Sequence, residues 1–204
     1  MTEIGLFPLA LVLLPTERVP LHIFEPRYKE LIGECLAEGG EFGLLLEDDG
    51  GRREIGTRAG VVEVLQVFDD GRMNVVVEGR ERFRLVELTE GRSFLTGRVE
   101  PVADDEDVPA SGDVERALEQ FRRLVSAAEA EADELDPRSA SLSFELAGRV
   151  DFGLELKQEL LELRSERLRL VRVAELLERA AEALALQRRM YERASGNGRV
   201  SKPS

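Results

Sequence analysis

Two hydrophobic periods divide the chain at Pro101. Before it, short apolar runs rich in β-branched residues recur: "FGLLLE" (Phe42 to Glu47), "GVVEVLQVF" (Gly60 to Phe68), "MNVVVEG" (Met73 to Gly79) and "RFRLVEL" (Arg82 to Leu88). Runs of this length and composition predict strands. Asp69-Asp70-Gly71 and Asp48-Asp49-Gly50-Gly51 stand between or after them and tolerate the positive φ of tight hairpins, so the predicted sheet is antiparallel. Arg80, Arg82 and Arg84 alternate with Phe83 and Leu85. Strict alternation places the three arginines on one solvent face, where pairing with neighbouring carboxylates is the ordinary reading and binding of an acidic peptide or a phosphate backbone the functional one, and a small closed barrel accounts for the number of strands. One helix interrupts this half. Tyr28, Leu31, Ile32, Cys35 and Leu36 fall at helical spacing, Pro26 suits the first helical position and Gly39-Gly40 ends the segment. In "PLHIFEPRYKELI" (Pro20 to Ile32), His22 and Phe24 therefore close a strand, Glu25 stands at the helix entrance and Tyr28 opens the buried face.

Beyond Pro101, "VADDEDVPASG" (Val102 to Gly112) has no strand pattern and is expected to be a solvated linker. A charged helix is predicted from Asp113 to about Glu134, a cap and first-turn proline at Asp136-Pro137, and a leucine-rich helix from Leu154 to Leu163. The last helix carries an apolar stripe of Leu170, Val173, Ala174, Leu177, Ala180, Ala181 and Leu184. The tail from Ser195 to Ser204 has nothing to bury and is expected to be disordered. The organisation is thus a β subdomain (1–101), a linker (102–112), a helical bundle (113–194) and a tail, an α+β fold.

Composition narrows the function. With 204 residues and 43% hydrophobic content, the chain can bury a core unaided, and one cysteine excludes an internal disulfide. The start, Met1-Thr2-Glu3, lacks the basic character of a secretory signal, so the expected location is the cytoplasm. The longest apolar run, Leu6 to Pro15, is broken by Pro8 and falls short of the ~20 residues that span a bilayer, so no membrane partner is expected. A net charge of -13 disfavours nucleic acid held by phosphate contacts and favours protein or peptide partners.

Candidate chemistry is sparse. His22 and Glu25 could begin a metal site, but Pro26 breaks the helical geometry and no second histidine exists. Cys35 sits between Ile32 and Leu36 on an apolar stripe, where an inert buried thiol is expected. Neither a serine-nucleophile elbow nor a phosphate-cradling glycine loop is present. No catalytic residue, metal or cofactor is assigned. The apolar surplus lies in "LFPLALVLLP" (Leu6 to Pro15), which exceeds what one strand face buries. Burial under the helices is the ordinary reading, and a partly exposed peptide-binding surface at Leu9, Leu11 and Leu13 is the functional one.

The segments "LFPLALVLLPTERVPLHIFEPRYKELI", "FGLLL" and "EIGTRAGVVEVLQVFDDGRMNVVVEGRERFRL", followed by "DFGLELKQELLEL" and "SERLRLVRVAELL", resemble the amino-terminal substrate-binding domain of Lon proteases from about Ile4 to about Leu177. The motif positions are His22, Glu25, Pro26, Arg27 and Tyr28, then Gly79, Arg82 and Phe83. The resemblance implies a PUA-like six-stranded pseudo-barrel with one inserted helix, followed by a helical bundle. In full-length Lon proteases the domain precedes an ATPase and a Ser-Lys peptidase module and helps to hold substrate proteins. This sequence shows neither a P-loop nor a dyad motif and is similar to stand-alone LON-domain proteins. The resemblance therefore implies a non-catalytic module for unfolded polypeptide segments or a protein partner. A nucleic-acid-binding PUA-like protein is the alternative, and a homodimer stays open.

Overall fold

The structure, a computed structural model, describes residues 1–196. In chain order it comprises β1 (Thr2–Leu9), β2 (Arg18–Ile23), α1 (Pro26–Glu38), β3 (Phe42–Asp48), β4 (Gly51–Arg52), β5 (Ile55–Val67), β6 (Met73–Thr89) and β7 (Thr96–Pro101). The helices α2 (Ser111–Ala128), α3 (Leu142–Ala147), α4 (Leu154–Glu162) and α5 (Glu166–Gly196) follow. The strands run β1-β7-β6-β5-β3, and β1 pairs again with β3 to close the ring. That closing pair is parallel, Leu6 to Leu9 lying beside Gly43 to Leu46, so the sheet is not wholly antiparallel. The short β4 hangs on β3, and β2 pairs with the first half of β6, giving seven strands in an irregular ring.

Helix α1 follows from local chemistry. Pro26 occupies its first turn, where a missing N–H costs nothing, and Gly39 ends it at φ 66°, a conformation a side chain would strain. Tyr28, Leu31, Ile32 and Cys35 are buried, but Leu36 is exposed, so the covered stripe is narrower than its spacing suggested.

The two strands expected at 73–79 and 82–88 are one, β6. Ala59 pairs with Gly79 and Thr57 with Arg82, so two steps along β5 oppose three along β6. This bulge shifts the alternation by one residue. Arg82 consequently shares a face with Gly79 rather than with Arg80. The expected ladder of three solvent-facing arginines is therefore wrong, because Arg82 is 4% exposed while Arg80 and Arg84 remain at the surface. β5 holds two further bulges. Val61, Glu63, Val64, Gln66 and Val67 find partners on β6, whereas Val62 and Leu65 are extra residues. The run "VVEVLQV" thus loses the strict alternation of a regular strand, and only Val61 of its seven residues is half-buried.

The helical half departs from expectation at its segment boundaries. α2 stops at Ala128, where Glu129 is left-handed with φ 52°, and not near Glu134. Asp136-Pro137 caps no helix: Asp136 forms a turn, its side chain accepting from the Arg138 amide and its carbonyl from the Ser139 amide. Of the tail expected from Ser195, the first two residues continue α5, and the rest lies outside the described residues.

Three apolar clusters form the interior. One, with Phe83, Leu6 and Leu45, fills the ring. A second joins α1 to the sheet through Tyr28, Phe7, Phe42 and Leu13. The third spans both halves, packing Val12, Leu14 and Leu46 against Phe121, Leu146, Leu160 and Leu177. Among the described residues, no helix is long and apolar enough to cross a membrane.

Candidate functional site

The amino-terminal motif forms a junction between β2 and α1. Arg27 pairs with Glu25 at 2.8 Å and lies 4.4 Å above the ring of Tyr28, which stacks on Phe7 with centroids 3.9 Å apart. Burial pushes the Tyr28 hydroxyl above its usual pKa, with Arg27 pulling the other way. His22 is exposed, its Nδ1 2.6 Å from the side-chain Oδ1 of Asn74 across the strands. Burial raises the Cys35 thiol to about 11, and Glu34 and Glu38 add to the effect, so the thiolate needed for attack is withheld at neutral pH. No group of three metal-capable side chains occurs among the described residues.

The second motif builds the joint between sheet and helices. Gly79 crosses under the turn after β1, donating to Glu17 O and accepting from the Thr16 amide, both at 2.9 Å. A Cβ at this position would lie 2.1 Å from the Leu14 carbonyl oxygen. Three residues on, Arg82 enters the helical half. Its Nη1 donates to the carbonyls of Leu161 and Leu163 at 2.9 and 2.8 Å, and its Nη2 donates to Asp104. Burial lowers its pKa below the usual arginine range, while Asp104 opposes this and Arg169 reinforces it. Arg169, 0% exposed, reaches Asp104 and Glu166 at 2.6 Å each and Ser143 Oγ at 2.7 Å. Its guanidinium lies 3.8 Å from the ring of Phe144, which also faces Arg82. A second clasp forms where Lys157 meets Glu17 at 2.6 Å. Phe83 points the other way, into the ring core.

Asp104, Ser143, Phe144 and Arg169 were not among the candidate residues of the sequence, and Lys157 and Glu166 entered only within the segments that carry the resemblance. Arg169 left a signal: it lies four residues before Val173, on the apolar face of α5, with Glu166 one turn earlier. Asp104 left none, because it stands in an acidic run that reads as solvated.

The surface expected at Leu9, Leu11 and Leu13 is only partly exposed. Leu13 is 1% exposed and packs beneath α1, so it cannot contact a peptide, whereas Leu9 and Leu11 are half-buried at the edge of the same cluster. The exposed apolar surface lies elsewhere. The tip of the β5–β6 hairpin, with β2 beside it, projects as a three-stranded arm. On β5, from Val62 to Val67, all six residues are exposed, with Leu65 at 53% and Val67 at 65%. Val62 and Leu65 are the residues that the two bulges insert, and they lie exposed together with the paired Val64 and Val67. Phe24, 58% exposed, continues the apolar character at the end of β2 and stacks on His22. Soluble proteins seldom leave this many large apolar side chains together without a partner.

A ring-like sheet with one inserted helix, clasped to a helical half, defines a mixed α+β domain. The chain belongs to the ATP-dependent protease La (LON) substrate-binding domain family, whose profile matches residues 3–179. It is 28% identical over 203 residues to the Lon protease of Anaeromyxobacter dehalogenans, covering 91% of this chain and 24% of that protein. The Lon protease 2 of Myxococcus xanthus is also 28% identical, over 202 residues, with the same coverage of 91% and 24%. The chain therefore spans about a quarter of the length of these curated relatives. Among solved structures, it is similar to the Lon N-terminal domain protein from Xanthomonas campestris, with a TM-score of 0.65 and 27% identity over 83% of this chain and 95% of that one. The N-terminal domain of Mycobacterium avium complex Lon protease shares the fold, with a TM-score of 0.66 and 18% identity over 86% of this chain and 98% of that one.

Proposed function

We propose that the chain is a polypeptide-recognition module that performs no chemistry itself and holds unfolded segments against the apolar arm formed by β2, β6 and β5. The observation that carries this reading is the exposed row Val62, Val64, Leu65 and Val67 on β5, in a chain of the LON substrate-binding family. An unfolded segment shields these side chains from water, and each well-covered leucine or valine contributes about 1.5–3 kcal/mol before the cost of ordering the segment. Affinity in the micromolar range follows.

The nucleic-acid alternative loses its main support. Arg82 is withdrawn into the joint, and Arg80 and Arg84 are engaged by Glu78 and by Glu54 and Glu100.

The test is fluorescence anisotropy with labelled casein. The double variant Leu65→Lys, Val67→Lys is expected to weaken binding at least about tenfold while thermal unfolding stays unchanged, since both side chains are exposed. Equal binding by the variant and the parent chain sinks the arm as the site.

A further inference from the structure

We infer that the chain holds a second polypeptide site, a cleft under residues 130–135 that takes a short apolar segment flanked by lysine or arginine. The inference rests on the polypeptide-recognition reading but on different residues. After α2 ends at the left-handed Glu129, the chain runs without regular structure along α2 toward Leu135. Residues 131–135 make no hydrogen bond among the described residues, and 131–134 are exposed. Leu135 alone is half-buried, packed against the shared core. This segment is a strap pinned at one point.

Two adjoining cavities lie between the strap and α2, of about 590 and about 1020 Å³. Both are lined by Phe121 and Val125 from the helix and by Ala132 and Asp133 from the strap. Leu118 and Leu135 extend the apolar lining of the first, and Leu124 and Val150 that of the second. Volumes of this size fit recognition sites for small ligands or a few side chains.

Charge selects the occupant. Glu131, Asp133, Glu134 and Asp151 line these cavities without an ion-pair partner among the described residues. Arg122 and Arg149 also line them, which leaves the four carboxylates in excess of the two guanidiniums. The rim is thus net acidic, which repels anionic lipid and nucleotide and attracts a basic flank. A second copy of the chain brings its own charge of -13 to the same rim and is disfavoured. Two cavities in tandem suit side chains projecting from an extended backbone, and the strap yields by giving up only the Leu135 contact.

Two capped, labelled peptides test the site on the full chain: one with two leucines and a phenylalanine flanked by arginines, the other with glutamates replacing the arginines. The arginine peptide is expected to bind at least about tenfold more tightly. Ser126→Trp, which fills the cleft from an exposed helix position, should weaken it about tenfold or more with unchanged thermal unfolding. Glu131→Lys with Asp133→Lys, both on the exposed strap, should reverse the preference toward the glutamate peptide. Indifference of the arginine peptide to Ser126→Trp, equal binding of the two peptides, or loss of binding in Leu65→Lys instead, each overturns the cleft. Casein measured on the same variants separates the two sites. Casein binding that survives Ser126→Trp but not Leu65→Lys, with the peptide likewise indifferent to Ser126→Trp, overturns the cleft and leaves the arm. Failure of casein and both peptides to bind removes both.

Discussion

Arg82 on β6 and Arg169 on α5 donate to the same carboxylate, that of Asp104, from two sides of the joint between sheet and helices. Two buried guanidiniums are tolerated there because Asp104 and Glu166 supply matching charge and backbone carbonyls take the remaining donors. Asp104 is the keystone, for among the described residues it is the carboxylate that touches both arginines. Asp104→Asn is expected to cost roughly 2–4 kcal/mol, less than a fully buried partner because its side chain is 30% exposed. Urea unfolding reads this as a lower midpoint with an unchanged slope. A shift below about 0.5 kcal/mol would show that water replaces the carboxylate without loss.

Arg82→Lys is not conservative at this site. An ammonium cannot reproduce the planar fork that spans two carbonyls and a carboxylate, and the expected cost is about 1–3 kcal/mol. Thermal unfolding equal to that of the parent chain would refute the geometric argument.

Gly79→Ala should be among the most damaging small substitutions. Its methyl group would meet the Leu14 carbonyl at 2.1 Å, and that carbonyl belongs to a turn tied to Gly79 by two hydrogen bonds. We expect a loss of about 3 kcal/mol or more, measured by calorimetry. A stable Gly79→Ala chain would mean that the turn moves aside freely.

Tyr28→Ala removes the ring that stacks on Phe7 and fills the space beneath α1. The expected cost is about 3–5 kcal/mol. Tyr28→Phe keeps the stack and should lose far less, and similar losses in the two variants would contradict packing as the cause.

Cys35 sets an alkaline limit. Below pH of about 9 the thiol keeps its proton in both folded and unfolded chains, and its contribution to stability is fully present. Above that the unfolded chain releases the proton while the folded one retains it until about 11, so stability falls across this window. Cys35→Ala should flatten the fall in urea midpoint between these pH values. An unchanged slope would assign it to other groups, Tyr28 first among them.

The legible parts of this protein were local ones. Pro26 and Gly39 bracket α1 in the sequence as they do in the structure, and Asp69-Asp70-Gly71 marks the β5–β6 turn, where Gly71 has φ 79°. The stripe Leu170, Val173, Ala174 and Leu177 is buried as its spacing requires. The candidate surface was less legible. Leu13, a candidate for the peptide surface beside the ordinary reading of burial, lies in the core, while Val62 and Leu65, expected in an ordinary strand, stand exposed. Hydrophobicity reports that a side chain resists water, but not whether a partner covers it.

The sequence by itself determined most strand and helix segments, though not the unity of β6 or the end of α2, together with the α1 caps, the hairpin turns and the kinship with the LON substrate-binding domain, because each depends on residues close together in the chain. The tertiary structure alone decided the parallel closure of β1 on β3, the course of Arg82 and the place of the apolar arm. A bulge is a mismatch in count between two strands, and a single strand's alternation carries no record of its partner's register. One extra residue at 80–81 therefore turned a predicted surface arginine into the buried link between the two halves.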